Sequence, residues 1–137
     1  MKSLRGYVSS RPFMGERIAQ HAQNIILRDY CNKIGAEYLL SGTEYAMKNS
    51  FLILNELIND IPKIDGIVFF SLFQLPKEYN SRNNIYKNIL IQKGELHFAL
   101  EDLSIITSTD IKRIEDIWMV RQTLPECPVK IRNTKKK

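Results

Sequence analysis

Residues 65–71 read DGIVFFS, an unbroken run of β-branched and aromatic side chains behind an Asp-Gly turn signal. Strands with one wet face alternate apolar and polar residues. A run without alternation is buried on both faces, as in a parallel sheet covered by helices. Outward from this run, strand and helix patterns alternate in both directions. Towards the N-terminus, residues 37–41 (EYLLS) and 5–9 (RGYVS) are short and strand-like. Between them Ile18, Ala22, Ile25, Ile26 and Tyr30 recur at three-to-four spacing up to Gly35, which predicts a helix with those residues inward. After residue 41 the polar loop GTEYAMKNS places Asn49 or Ser50 to cap a second helix that Pro62 ends. Towards the C-terminus, LFQLPKEYNSR leads into a helix over 82–92 with Ile85, Tyr86, Ile89 and Leu90 inward, then a fourth strand, ELHFAL. A last helix, capped by Thr109 or Asp110, carries Ile111, Ile114, Ile117 and Trp118. Alternating βα units with short connections predict a three-layer α/β/α domain around a small, mainly parallel four-stranded sheet.

The 137 residues suffice for one domain, and 44% of them are hydrophobic. We expect a single domain over 1–124 and a basic tail over 125–137. Of the +5 net charge, Lys130, Arg132, Lys135, Lys136 and Lys137 supply all five positives, so residues 1–129 are neutral. The basic character belongs to the tail, and the body carries no charge signal for nucleic acid. No apolar run approaches the ~18 residues of a membrane span, and the N-terminal residues lack a signal-peptide apolar region. The expectation is a cytoplasmic protein without a membrane partner. Cys31 and Cys127 have no CxxC or histidine at ligand spacing, so neither a zinc site nor a disulfide is expected. With no GxGxxG and no GxxxxGKS, no cofactor motif is present.

In parallel α/β sheets ligands bind beyond the carboxyl ends of the strands. There the sequence places Ser9, Ser10 and Arg11, then Glu44 and Tyr45, then Ser71 and Gln74, then Glu101. Hydroxyls, amides and carboxylates suit a hydroxyl-rich ligand such as a sugar or nucleotide sugar, and Arg11 and Arg17 suit its phosphate. Polar loops also arise simply because loops are wet. Gln20 and Asn24, four apart on the first helix, share a face that can look into the crevice. For acid–base work the candidates are Glu44, Tyr45 and Ser10, with Ser9, Arg11, Arg17, Gln20, Asn24, Ser71, Gln74 and Glu101 as binding residues. His21 and His97 fall inside a helix and a strand, and are read as structural.

Over about residues 5–106, the order GYVSS, RDYC, DGIVFFSL, QLP and GELHFALEDLSI resembles the catalytic domain of serine recombinases, the resolvase and invertase family. That family ends its first strand with Tyr-x-Arg-x-Ser, which supplies the nucleophile, and follows its third with Asp-Arg-Leu-x-Arg, which holds the scissile phosphate. Here Tyr7 matches, but Ser9 stands at the arginine position and Arg11 at the serine position. Phe73, Gln74 and Leu75 stand for Asp-Arg-Leu. Without the arginines a dianionic transition state loses its counter-charge, so the resemblance implies the fold and argues against recombination. The combination GYVSSRPFMGERIAQHAQNIILRDYC, YLLSGTEYAM and SLFQLP is also similar to the sporadic carbohydrate cluster proteins, short bacterial proteins of surface-polysaccharide gene clusters. That second resemblance implies a part in making or modifying a surface sugar. The competing expectation is a non-catalytic resolvase-like module that assembles with itself or a partner through the final helix.

Overall fold

The computed structural model describes residues 1–10, 17–44, 51–61 and 63–123, with 122 and 123 described by backbone alone. The apolar run forms the central strand β3 (Gly66–Phe69), buried along its whole length. β1 (Ser3–Ser9) pairs with it on one side and β4 (Glu95–Phe98) on the other, both parallel. β2 (Glu37–Glu44) lies outside β1, also parallel. At Gly66 the neighbouring strand comes so close that an added methyl would meet the backbone carbonyl of Glu95.

Among the described residues the sheet has five strands rather than the expected four, in the order β2-β1-β3-β4-β5. Instead of running through ELHFAL, β4 stops at Phe98. The Ala99 and Leu100 amides then donate back to the Phe69 and Phe70 carbonyls at 2.9 and 2.8 Å. Asp102, in the left-handed region at φ 56°, turns the chain into β5 (Leu103–Ile105), antiparallel to β4. Three residues are too few for a periodic signal, so this strand exists only through its partner.

Helices cover both faces. α2 (Leu52–Asn59), α3 (Tyr79–Ile91) and α4 (Thr109–Thr123) bury Leu54, Leu57, Tyr86, Ile89, Ile114 and Trp118 against Tyr7, Ile67, Phe69, Leu96 and Phe98. Among the described residues α1 (Gln20–Ile34) is the helix on the other face, packing Leu27, Tyr30 and Cys31 on Leu4, Val8, Val68 and Phe70. Burial pushes the Cys31 thiol up to about 11, which leaves it protonated and unreactive at neutral pH.

The predicted inward face of α1 is corrected. Gln23, Leu27, Tyr30 and Cys31 are buried, at i, i+4, i+7 and i+8, whereas Ile25 is 52% and Ile26 37% exposed. The sheet beneath decides the rotation: it presents the Ser9 backbone and the His97 ring on this side, and these find partners in Gln23 and Tyr30. Unpaired buried polar groups cost more than two half-exposed isoleucines. The helix is closed by Gly35, whose φ of 75° suits glycine.

Candidate functional site

Because β2 and β3 lie on opposite sides of β1 and their connecting helices on opposite faces, the chain reverses direction across the sheet at β1 and β3. The carboxyl ends of these two strands deliver Ser9 and Ser10 beside Phe70 and Ser71. There Gln23 reaches down from α1. Its Nε2 donates to the Ser9 carbonyl at 2.8 Å and the Ile18 carbonyl at 2.9 Å. Its Oε1 accepts from the Ser9 amide at 3.2 Å and from Gln74 Nε2 at 2.9 Å. Gln74, in the single 3₁₀ turn Leu72–Gln74, accepts in turn from the Phe70 and Ser71 amides at 3.0 and 3.3 Å. A neutral amide clasp therefore joins both strand ends, and Gln23 and Gln74 are buried.

Around the clasp the other candidates are engaged as well. Ser71 Oγ donates to Glu101 at 2.6 Å, and Glu101 also accepts from the Leu72 amide at 3.0 Å. Glu44 is the last residue of β2 and is buried there. Its carboxylate accepts from the Tyr7 hydroxyl at 3.0 Å and from the Ile53 and Leu54 amides at 3.2 and 3.4 Å, so it caps α2. An acidic group at a helix start satisfies orphan amides and complements the helix dipole. Ser10 donates to the Glu44 carbonyl through its amide at 3.0 Å and its hydroxyl at 3.3 Å.

Thus Ser9, Ser10, Glu44, Ser71, Gln74 and Glu101 share the strand-end edge, as the sequence predicts. Asn24 does not join them: its Oδ1 accepts from the Tyr38 hydroxyl at 2.6 Å. Ser10, Arg17 and Gln20 line a shallow pocket of about 260 Å³ with Ile18 and Ala19. Arg11 and Tyr45 lie outside the described residues. The central member, Gln23, escapes the sequence reading, which took Gln20 and Asn24 as the inward amides. Its signal was an amide in register with Leu27, Tyr30 and Cys31, a polar residue in an apolar stripe.

Two solved structures share this architecture across almost the whole chain. The N-terminal catalytic domain of TP901-1 integrase superposes with a TM-score of 0.63 at 15% identity, covering 88% of this chain and 95% of that one. A resolvase family site-specific recombinase from Streptococcus pneumoniae gives 0.67 at 10% identity, covering 99% and 95%. The fold is that of a resolvase catalytic domain. Identities this low establish the resolvase fold and nothing of the chemistry. No protein-family model matches the sequence, nor does any curated protein, so the likeness to carbohydrate-cluster proteins gains no support. Among the described residues no helix is long and apolar enough to cross a membrane.

Ser9 and Gln74 occupy the positions at which the sequence resemblance would require arginines. Gln23 ties these two positions to each other through uncharged amides. The one buried arginine among the described residues, Arg82, is elsewhere, at 2.8 and 2.7 Å from the two oxygens of Glu115 on α4.

Proposed function

We propose that this chain is a resolvase-fold module that acts by assembling with a partner through α4, with the strand-end site closed to phosphoryl transfer. The observation that carries the reading is the Gln23–Gln74 clasp, which holds neutral amides where resolvase chemistry would need guanidinium charge. The docking element is α4. Its Met119 and Val120 are 62% and 57% exposed, and Ile117 and Val120 line an apolar groove with Phe73, rimmed by Asp116 and Arg121. Met119 and Val120 are a continuous exposed apolar step on the same helix, the kind of surface that marks an interaction site. Light scattering on the purified full chain should give a mass above that of one chain, and the double variant Met119→Glu/Val120→Glu should return it to a monomer. A wild-type protein that is monomeric alone and draws no interaction partner through α4, or that cleaves DNA, would overturn the reading.

A second reading is favoured by the pocket at Ser10, Arg17 and Gln20: a sugar, sugar phosphate or nucleotide sugar bound at the strand ends, as the carbohydrate-cluster resemblance implies. Its 260 Å³ is slightly below the ~300 Å³ at which small-molecule sites begin. Arg17 would hold the phosphate and Ser10 and Gln20 the hydroxyls, with Glu44 and Tyr45 as the acid–base candidates. A ligand at 100 times its dissociation constant adds about 2.7 kcal/mol of stability. Thermal denaturation against nucleotide sugars and sugar phosphates should therefore show an upward shift that Arg17→Ala abolishes. Silence across those ligands would remove this reading.

A further inference from the structure

On the α1 face of the sheet lies a buried polar cluster that neither reading uses. His97, on β4, stands between two partners. Its Nδ1 is 2.9 Å from the Tyr30 hydroxyl of α1, and its Nε2 is 2.8 Å from Glu95 Oε1. Lys2, just before β1, pairs with the other oxygen of Glu95. The remaining titratable groups around the pair are Cys31 on α1 and Asp102 in the turn before β5. Burial holds His97 below its usual 6.5 against the opposing pull of Glu95, and burial pushes Tyr30 up to about 12. At neutral pH the ring is therefore uncharged. A carboxylate facing Nε2 fixes the tautomer: Nε2–H donates to Glu95, and Nδ1 accepts the Tyr30 hydroxyl proton.

We propose that His97 and Tyr30 form an acid-operated latch that holds α1 on the sheet, closed while His97 is neutral and released when its Nδ1 gains a proton. A protonated Nδ1 turns from acceptor to donor. The Tyr30 proton then loses the acceptor it has in the described structure, and a buried hydroxyl without an acceptor is penalised. Tyr30 sits seven residues, two helical turns, from Gln23 on the same buried face of α1. The latch and the amide clasp therefore hold the same face of α1, and loss of the Tyr30 bond leaves the clasp as the remaining side-chain tie from that face to the strand-end crevice. The inference is independent of what that crevice binds, and it goes beyond the module reading.

Its direction follows from the sign of the His97 shift. The unfolded or released state takes the proton more readily, so the latch is fully engaged above 6.5 and is lost as pH falls through the depressed native value. The test is native-state hydrogen exchange on the full chain from pH 7.5 downward, alongside NMR of the His97 imidazole nitrogens. After correction for intrinsic exchange, protection of α1 amides relative to α3 amides should fall as pH drops below 6.5, by up to about tenfold per pH unit for one proton, and level off once His97 in the native state is protonated. In His97→Gln, neutral at every pH, the ratio should stay flat. Tyr30→Phe should show lowered α1 protection already at neutral pH, without further pH dependence. A ratio that stays constant from pH 7.5 down to the pH at which His97 is protonated, persists unchanged in slope in His97→Gln, or meets global unfolding before His97 protonates would overturn the latch.

Discussion

Replacing Arg82 by Met should lower the unfolding free energy by about 3 kcal/mol, the lower end of the cost of breaking a buried ion pair, because Glu115 is partly exposed and keeps its bond from Tyr86. Arg82 binds both oxygens of Glu115, donates to the Pro76 and Lys77 carbonyls at 3.2 and 2.6 Å, and lies 4.2 Å from the centre of the Trp118 ring. Tyr86 donates to the same carboxylate at 2.6 Å. A methionine fills most of the space but strands the carboxylate and two backbone carbonyls. The double variant Arg82→Met/Glu115→Leu should recover much of the loss, because a packed apolar pair often equals a buried ion pair. Burial works against the Glu115 charge, but the hydrogen bonds from Arg82 and Tyr86 prevail and hold its carboxyl below the ordinary 4.5. With a depressed native value, the pair's contribution is complete above 4.5 and fades as pH falls through that native value. Urea unfolding at pH 7 and in acid should show the gap between wild type and Arg82→Met narrowing in acid. Equal stability of the two proteins at pH 7 would mean that α4 is held by its apolar contacts alone.

Gln23→Leu should cost about 3 kcal/mol, although leucine has nearly the volume of glutamine and a buried site welcomes it. The reason is the number of groups it leaves behind: the Ser9 amide and carbonyl, the Ile18 carbonyl and the Gln74 side chain all lose a partner. Each buried group left unsatisfied costs about 1–3 kcal/mol, less where water can reach it. Adding Gln74→Leu should cost less than it does alone, since its amide has by then already lost Gln23. Additive losses in denaturant unfolding of the four proteins would show that the two amides do not act as one clasp. A Gln23→Leu cost below about 1 kcal/mol would mean that water replaces the clasp and that the strand ends are open.

The neutral clasp and the Arg82 cluster together carry the module reading proposed for this chain. The Ser9 and Gln74 positions are uncharged, and the guanidinium of Arg82 lies where it fixes α4, the helix whose outer apolar side is exposed. The two-pronged ion pair of Arg82 and Glu115 thus holds the helix that we assign to docking.

Sequence periodicity determined the alternation of β1–β4 with the helices, the mainly parallel class of the sheet and the strand-end address of Ser9, Ser10, Glu44, Ser71, Gln74 and Glu101. These are local properties: an unalternating apolar run is buried whatever it touches, and the residue after a parallel strand always lies at one edge. Tertiary structure alone decided the rotation of α1, the existence of β5 and the partners of each polar group. Ile25 and Ile26 fit a helical stripe as well as Leu27 and Cys31 do, so periodicity cannot choose between two faces about one residue apart. The sheet chose, because Ser9 and His97 needed the amide of Gln23 and the hydroxyl of Tyr30. Gln23 and Gln74 are 51 residues apart, and Tyr30 and His97 are 67 apart. Hydrogen bonds over such separations depend on strand order and helix rotation, which no window of the sequence contains.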